Sequence, residues 1–512
     1  MNESLTQSPA AALLPDLAAI TSLSDLDDAG YRRHCDALAA ALADVDAPAA
    51  VRWELLRELS RVGDRTAIIE LGLGLAQAVD PALRRGGLAR AAWGSAQLGL
   101  HERAEEILAV LAPDIEADPL FALEVEWVRG MMAYMRGDYA VMEARCRNLL
   151  SRLPAMPPDA VTRHFSRPLA VVLKQTEVNL IISLFMRADL HRGGERERLL
   201  TEAEFMQRQA EAGADRLESI EALLDDTRGE LLRRRNPEAA LRHFDAALAR
   251  HAGNPESRYA LADLLRHRAT VRDELGDRAG AQRDLLEALT LAMASRAAHI
   301  ERQVAGRLFA LIAKHSRAGR REVELLDEFH LHPESTLSRV IELWRTKDRS
   351  ALSGQPQRVA ERSLRLYRLL GGRMPDGGAL ALDILEACSL LWDIGGLLLP
   401  WTVVNRPRPL TALEQQLLSA RGSEGARLLE QFGFTHAAQV LRQRDRADDA
   451  PLREPHAVVV AHSYDFERLT SASPLNPQQL TPAAALDKLQ AAPVGRYHPA
   501  VLTALARAAG AG

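Results

Sequence analysis

Acids, histidines and arginines gather at only a few places in this chain where chemistry could be done. The run Leu390-Leu391-Trp392-Asp393-Ile394-Gly395-Gly396-Leu397-Leu398-Leu399-Pro400 sets a single carboxylate, Asp393, among apolar neighbours. Such a carboxylate could act as a ligand or an acid. It could equally cap or pair inside a helical bundle, since perturbed acids mark sites only statistically. Trp392 beside it offers no metal ligand, because an indole nitrogen is a donor only. His330 and His332 form an H-x-H pair with no third ligand nearby, whereas closed metal sites use about four. His456 and His462 flank the apolar run Ala457-Val458-Val459-Val460-Ala461 and read as helix-end residues. Arg233-Arg234-Arg235 would attract an anion but fits a solvated helix face.

The frame around Asp393 continues in both directions. Upstream, Lys347-Asp348-Arg349 leads to Ser353-Gly354-Gln355-Pro356-Gln357-Arg358-Val359-Ala360. Downstream, Arg406-Pro407-Arg408-Pro409-Leu410-Thr411-Ala412-Leu413-Glu414 leads to Arg421-Gly422-Ser423-Glu424-Gly425. Ser463-Tyr464-Asp465-Phe466-Glu467-Arg468-Leu469-Thr470-Ser471 and Tyr497-His498-Pro499-Ala500-Val501 close the series. In this order the segments resemble the HD-GYP phosphodiesterases. That family reads K-D, T-x-G-H-S-x-R-V-A, L-H-D-I-G-K-I-G-I-P, K-P-G-x-L-T-x-x-E, H-P-x-x-G, A-D-x-F-E-A-L-T-S and F-D-P-x-V. The resemblance covers roughly residues 335 to 510.

The resemblance also implies what has been lost. Gln355, Trp392 and Arg421 stand where metal histidines would be, and Gly396 replaces a phosphate-facing lysine. Tyr464 stands at a metal aspartate, although a shift of one residue would bring in Asp465. The H-H-E-x-x-D-G-x-G-Y-P element has no counterpart in Arg442-Gln443-Arg444-Asp445-Arg446-Ala447-Asp448-Asp449-Ala450-Pro451. Hydrolysis by this family relies on two or three metal ions bridged by an aspartate, which generate hydroxide and clamp the reacting oxygens. Imidazole and carboxylate suit such ions, and of the aligned set only Asp393 survives. Arg421, Arg442 and Arg444 add charge that repels a cation. The expectation is a domain with no catalytic residue, no metal and no cofactor. Those arginines could instead meet phosphates of a cyclic dinucleotide, because guanidinium matches phosphate bidentately. An active phosphodiesterase would need ligands from His436, His456, His462, Asp445 or Asp465.

At 512 residues the chain holds two or three domains. Aromatics make up only 4%, and alanine and leucine abound, which favours helix. A net charge of -5 leaves no footprint for nucleic acid. Cys35, Cys146 and Cys388 are odd in number and far apart, so no disulfide framework is expected and the reducing cytoplasm fits best. Met1 to Leu17 lacks a basic n-region and reads as neither signal peptide nor spanning helix. No segment reaches the roughly 18 to 20 uninterrupted apolar residues of a membrane helix.

The preceding two-thirds carries a recurring turn: Val62-Gly63-Asp64, Leu98-Gly99-Leu100, Arg136-Gly137-Asp138-Tyr139 and Leu275-Gly276-Asp277. The first three glycines are 36 and 38 residues apart. Small and apolar residues follow at helical spacing: Ala104, Leu108 and Leu111; Ala240, Phe244 and Ala247; Ala281, Leu285 and Ala288. These resemble the second helix of tetratricopeptide (TPR) repeats, whose period is about 34 residues. The first-helix aromatic positions are mostly missing, so the units are divergent. The expected architecture is all-α: a flexible segment 1–22, a TPR-like α-solenoid over 23–294, coupling helices over 295–333, and an HD-GYP-like helical bundle over 334–512. A solenoid offers a surface for a protein partner. The expected function is a non-enzymatic bacterial signalling or scaffold protein, with cyclic di-GMP binding or hydrolysis as the alternatives.

Overall fold

The computed structural model describes residues 9–20, 26–44, 47–165, 168–212, 218–252, 257–295, 297–315, 322–332, 335–348, 355–406, 410–444, 453–471, 478–492 and 497–510. Among these the chain is all-α, with no strand and one isolated antiparallel bridge between Arg373 and Ala379. Residues 349–354, 407–409 and 445–451, several of them quoted for the resemblance, lie outside the described residues. The chain divides into two compact units: Met1–Asp25 with Asp36–Ile300, and Leu26–Cys35 with Glu301–Gly512. The division falls inside the helix Ala298–His315, within the stretch 295–333 expected to couple the halves. Within residues 1–22, expected to be flexible, Pro9–Ala19 forms a helix that buries Ala10, Leu13 and Leu17.

In the first unit, glycine and aspartate punctuate the helices. Gly137 ends Pro119–Arg136 at φ 78°, a left-handed conformation that costs glycine little. The Asp138 N–H reaches back to Ala133 O at 2.8 Å, satisfying a terminal carbonyl. The Asp138 carboxylate then accepts from Val141 N at 3.4 Å and starts Tyr139–Arg152. Gly276-Asp277 does the same: Asp277 N meets Arg272 O at 2.8 Å, and Gly280 N donates to Asp277 Oδ1 at 2.9 Å. One residue stops a helix and the next begins another.

The positions singled out after these turns are core. Ala104, Leu108, Leu111, Ala240, Phe244, Ala247, Ala281, Leu285 and Ala288 are each at most 1% exposed. Phe244 seats its ring against Gly229, where an added Cβ would stand 2.7 Å from the ring. Small residues thus let neighbouring helices approach, and the large one fills the groove. Leu169–Leu190 is the one described helix long and apolar enough to cross a membrane by length and composition. Its Val178, Leu180, Ile181 and Leu184 pack instead with Leu199, Ala203 and Ile220 in a protein core.

The second unit is organised around the helix Pro455–Thr470. It packs against Gln355–Leu369, Leu382–Leu391, Pro482–Gln490 and Pro499–Ala508, and buries most of its circumference. The β-branched run Val458-Val459-Val460 is therefore helical, because burial on every side outweighs local preference. A fully buried cation supports this unit: Lys347 Nζ lies 3.0 Å from Glu301 Oε2 and donates to Leu397 O at 2.8 Å. Glu301 also accepts from Trp401 N at 3.2 Å, while Asn405 Nδ2 donates to Lys347 O at 2.9 Å. Tyr31, from the early segment that belongs here, meets the Trp401 indole edge-on with centroids 5.0 Å apart.

Candidate functional site

Asp393 follows the helix Leu382–Leu391 and opens the 3-10 turn Ile394–Leu398. That turn lies tight against the start of the helix Arg421–Phe432, because Gly395 has no side chain to hold them apart. A Cβ at Gly395 would stand 1.9 Å from Arg421 O and 2.5 Å from Gly425 N. The close approach delivers the Arg421 guanidinium to Asp393, Nη1 to Oδ1 at 2.5 Å. Arg444, just past the helix Thr435–Arg442, places Nη1 2.7 Å from the same oxygen and also donates to Trp392 O. Tyr464, midway along Pro455–Thr470, donates its hydroxyl to Asp393 Oδ2. The Arg444 guanidinium sits between the Trp392 and Tyr464 rings, 5.3 and 5.1 Å from their centroids.

Electrostatics follow from this geometry. Burial alone would push the Asp393 carboxyl up, but Arg421 and Arg444, helped by the Tyr464 hydroxyl, hold it well below the usual carboxylate range. Tyr464 is pushed up to about 12, by burial and then by the Asp393 charge. Burial opposes charge on Arg421, yet Asp393 outweighs that and raises it. Two guanidiniums around one carboxylate leave the cluster with a net positive charge. A divalent cation would have to displace arginines held by charge-assisted hydrogen bonds and would find a single carboxylate beneath them. The donor set does not fit the metal centre that the HD-GYP resemblance implies.

Trp392, Asp393, Arg421, Arg444 and Tyr464 thus come together, although they span more than seventy positions of sequence. Of the two neighbours it is Tyr464 that meets Asp393, whereas Asp465 accepts from Tyr497 Oη at 2.6 Å. Arg442 does not join the group and pairs with Glu430. Gln355 opens Gln355–Leu369 and makes no hydrogen bond with the cluster among the described residues. That helix is anchored by Arg358 and Arg362, whose guanidiniums reach Glu467 at 2.5 and 3.0 Å. Gly396, where the resemblance places a lysine, lies under the Trp344 indole.

Three of the other histidines are occupied by structure. His462 lies with Nδ1 2.6 Å from Val458 O, and its Nε2 accepts from His498 N at 3.0 Å. His456 Nε2 accepts from Ala381 N at 2.8 Å, and its Nδ1 is 2.6 Å from Glu454 Oε1. His330 pairs with Glu386 at 3.0 Å. Among the described residues no three His, Cys, Asp or Glu side chains gather as a metal ion would require. Two arrangements built on a buried carboxylate carried no short-range sequence signal, Lys347 with Glu301 and Arg358/Arg362 with Glu467, because each joins residues far apart in the chain. No protein-family model matches this chain, and no curated protein matches it in sequence.

Proposed function

We propose that this chain is a non-catalytic bacterial signalling or scaffold protein of the cytoplasm. Its first unit holds a partner protein through TPR-like helical repeats. Its second unit keeps an HD-GYP-like bundle whose metal site has been replaced by an internal ion cluster. The observation that carries this reading is the Asp393 carboxylate, occupied by Arg421 and Arg444 on one oxygen and Tyr464 on the other. The one aligned acid that could bridge metals is thereby committed. The same pairs weigh against Arg421 and Arg444 as phosphate receptors, since a nucleotide would have to compete with a carboxylate already in place. Arg442, held by Glu430, is not beside them. The test is elemental analysis of protein purified without chelator, with a cyclic di-GMP hydrolysis assay alongside. Metal-free, inactive protein is expected. Two equivalents of iron or manganese per chain, with turnover, would overturn the proposal.

A further inference from the structure

The six tryptophans of the chain fall into two groups. Trp344, Trp392 and Trp401 are buried in the second unit. Trp53, Trp93 and Trp127 belong to the first and are only half-buried. They come from three helices that pack on one another, Ala49–Val62, Pro81–Gln97 and Pro119–Arg136. The Trp53 ring lies against Gly86, where a Cβ would stand 2.5 Å from its Cη2. One turn on, the Arg90 guanidinium carbon sits 4.3 Å from the Trp53 ring centroid. Trp93 follows Arg90 by three residues and shares its helix face. Its ring meets that of Trp127 with centroids 5.3 Å apart and planes tilted by 49°. Trp53, Arg90, Trp93 and Trp127 thus form one row across three helices.

Two properties define what this row can take. The first is charge. Glu54 pairs with Arg57 at 2.9 Å, Arg85 with Asp118 at 3.1 Å and Arg145 with Glu126 at 2.7 Å. Arg90 and Glu124, each one turn before a tryptophan of the row, carry opposite signs. The electrostatic complement of such a surface is an uncharged segment, neither acidic nor basic. The second property is unused donors. An indole N–H can only donate. None of the three does so to protein among the described residues, and none is enclosed.

An aromatic surface edged by free donors suits a chain that presents apolar rings and free carbonyls together. Polyproline II does this, because it makes no internal hydrogen bonds and its prolines bring rings without adding donors. A helical segment would arrive with its carbonyls already bonded within itself. We infer that the row binds a proline-rich segment of a partner protein, its rings packing on prolines and its indole N–H groups donating to the segment's carbonyls. Trp53, held between Gly86 and Arg90, is already fixed in place, so little ordering is needed on binding. The inference rests on the reading of the first unit as a partner-binding surface and names the class of partner.

The test is calorimetric titration of the full chain with a blocked oligoproline peptide. A glycine–serine peptide of equal length and a leucine-rich helical peptide are titrated alongside. The oligoproline should bind with a Kd below about 1 mM, and the glycine–serine peptide should not bind. Trp93→Phe and Trp127→Phe keep an aromatic ring and remove the N–H. Each should weaken binding about two- to tenfold, the worth of one neutral hydrogen bond. A cooperative thermal melt checks that each variant is folded, and Trp53→Phe provides a further variant should either fail. No binding of oligoproline, equal binding of the glycine–serine peptide, or unchanged affinity in every folded variant overturns the inference. Binding of the helical peptide alone would overturn it while keeping the first unit as a partner surface. Failure of all three peptides would overturn it and count against that surface as well.

Discussion

Gly396 lies so close beneath Trp344 that a methyl group on it would stand 2.1 Å from the indole Cη2 and 2.3 Å from Cζ3. The backbone of the turn Ile394–Leu398 therefore rests directly on an aromatic ring, and a side chain cannot be added there without moving that ring. Trp344 is 4% exposed and has little room to yield.

A side chain placed at Gly396 should accordingly not be tolerated. Gly396→Ala should destabilise by about 1–3 kcal/mol through overpacking, and Gly396→Lys by more. Thermal melts of the single variants and of Gly396→Ala with Trp344→Leu would decide the cause. The double variant should recover part of the loss, because residues in contact are not additive. A Gly396→Lys protein that melts with the parent would refute the packing argument.

The ion cluster is a second target. Asp393→Asn leaves Arg421 and Arg444 buried without their shared carboxylate and should cost about 3–5 kcal/mol. Tyr464→Phe removes one donor while both ion pairs persist, so its cost should be nearer 1–3 kcal/mol. Urea denaturation should rank the two in that order. The reverse ranking would show that the hydroxyl, rather than the guanidiniums, holds Asp393.

Much of this organisation could be read from residue order, and the parts that could not share a cause. Ala240, Phe244 and Ala247 were legible as core because burial on a helix follows its 3.6-residue period. The turns at Gly137 and Gly276 were legible because few residues other than glycine tolerate their φ. Some of the motif likeness reflects helix starts rather than chemistry. Thr411 and Glu414 of the L-T-x-x-E match form a reciprocal capping box, with Thr411 Oγ1 accepting Glu414 N at 3.2 Å. His498-Pro499 likewise begins a helix, with His498 Nδ1 accepting from Ala500 N at 3.3 Å. Choice of partner across the chain was not legible. Arg442 and Arg444 look alike in sequence, yet one is half-exposed beside Glu430 and the other is drawn in to Asp393.

Lys347 and Glu301 illustrate the same point with a measurable consequence. Both side chains are at most 2% exposed, and each is the other's counter-charge. Lys347→Met leaves Glu301 buried and unpaired, which should cost about 3–5 kcal/mol. Lys347→Met with Glu301→Leu removes both charges and should be markedly more stable than the single variant. Differential scanning calorimetry on the three proteins checks this. A double variant no better than Lys347→Met would mean that Glu301 matters mainly through its bond to Trp401 N.

Acid sensitivity should trace in part to His462. Its ring is enclosed between the Val458 carbonyl and the His498 N–H, an arrangement that suits the neutral form with the proton on Nδ1. Burial drives it down to about 4, against the opposing pull of Val458 and Asp465. The unfolded chain takes up a proton near pH 6.5, whereas the folded chain resists until about pH 4. Between those values the unfolded state holds more protons, so stability rises with pH and falls on acidification. The contribution is complete above about pH 6.5, is lost progressively down to about pH 4, and changes no further below that. At about 1.4 kcal/mol per pH unit the window is worth roughly 3 kcal/mol. Chemical denaturation at intervals from pH 7 to pH 4 should show His462→Gln less stable than the parent at neutral pH and less steep in its decline. Parallel slopes for the two proteins would place the acid sensitivity at another group.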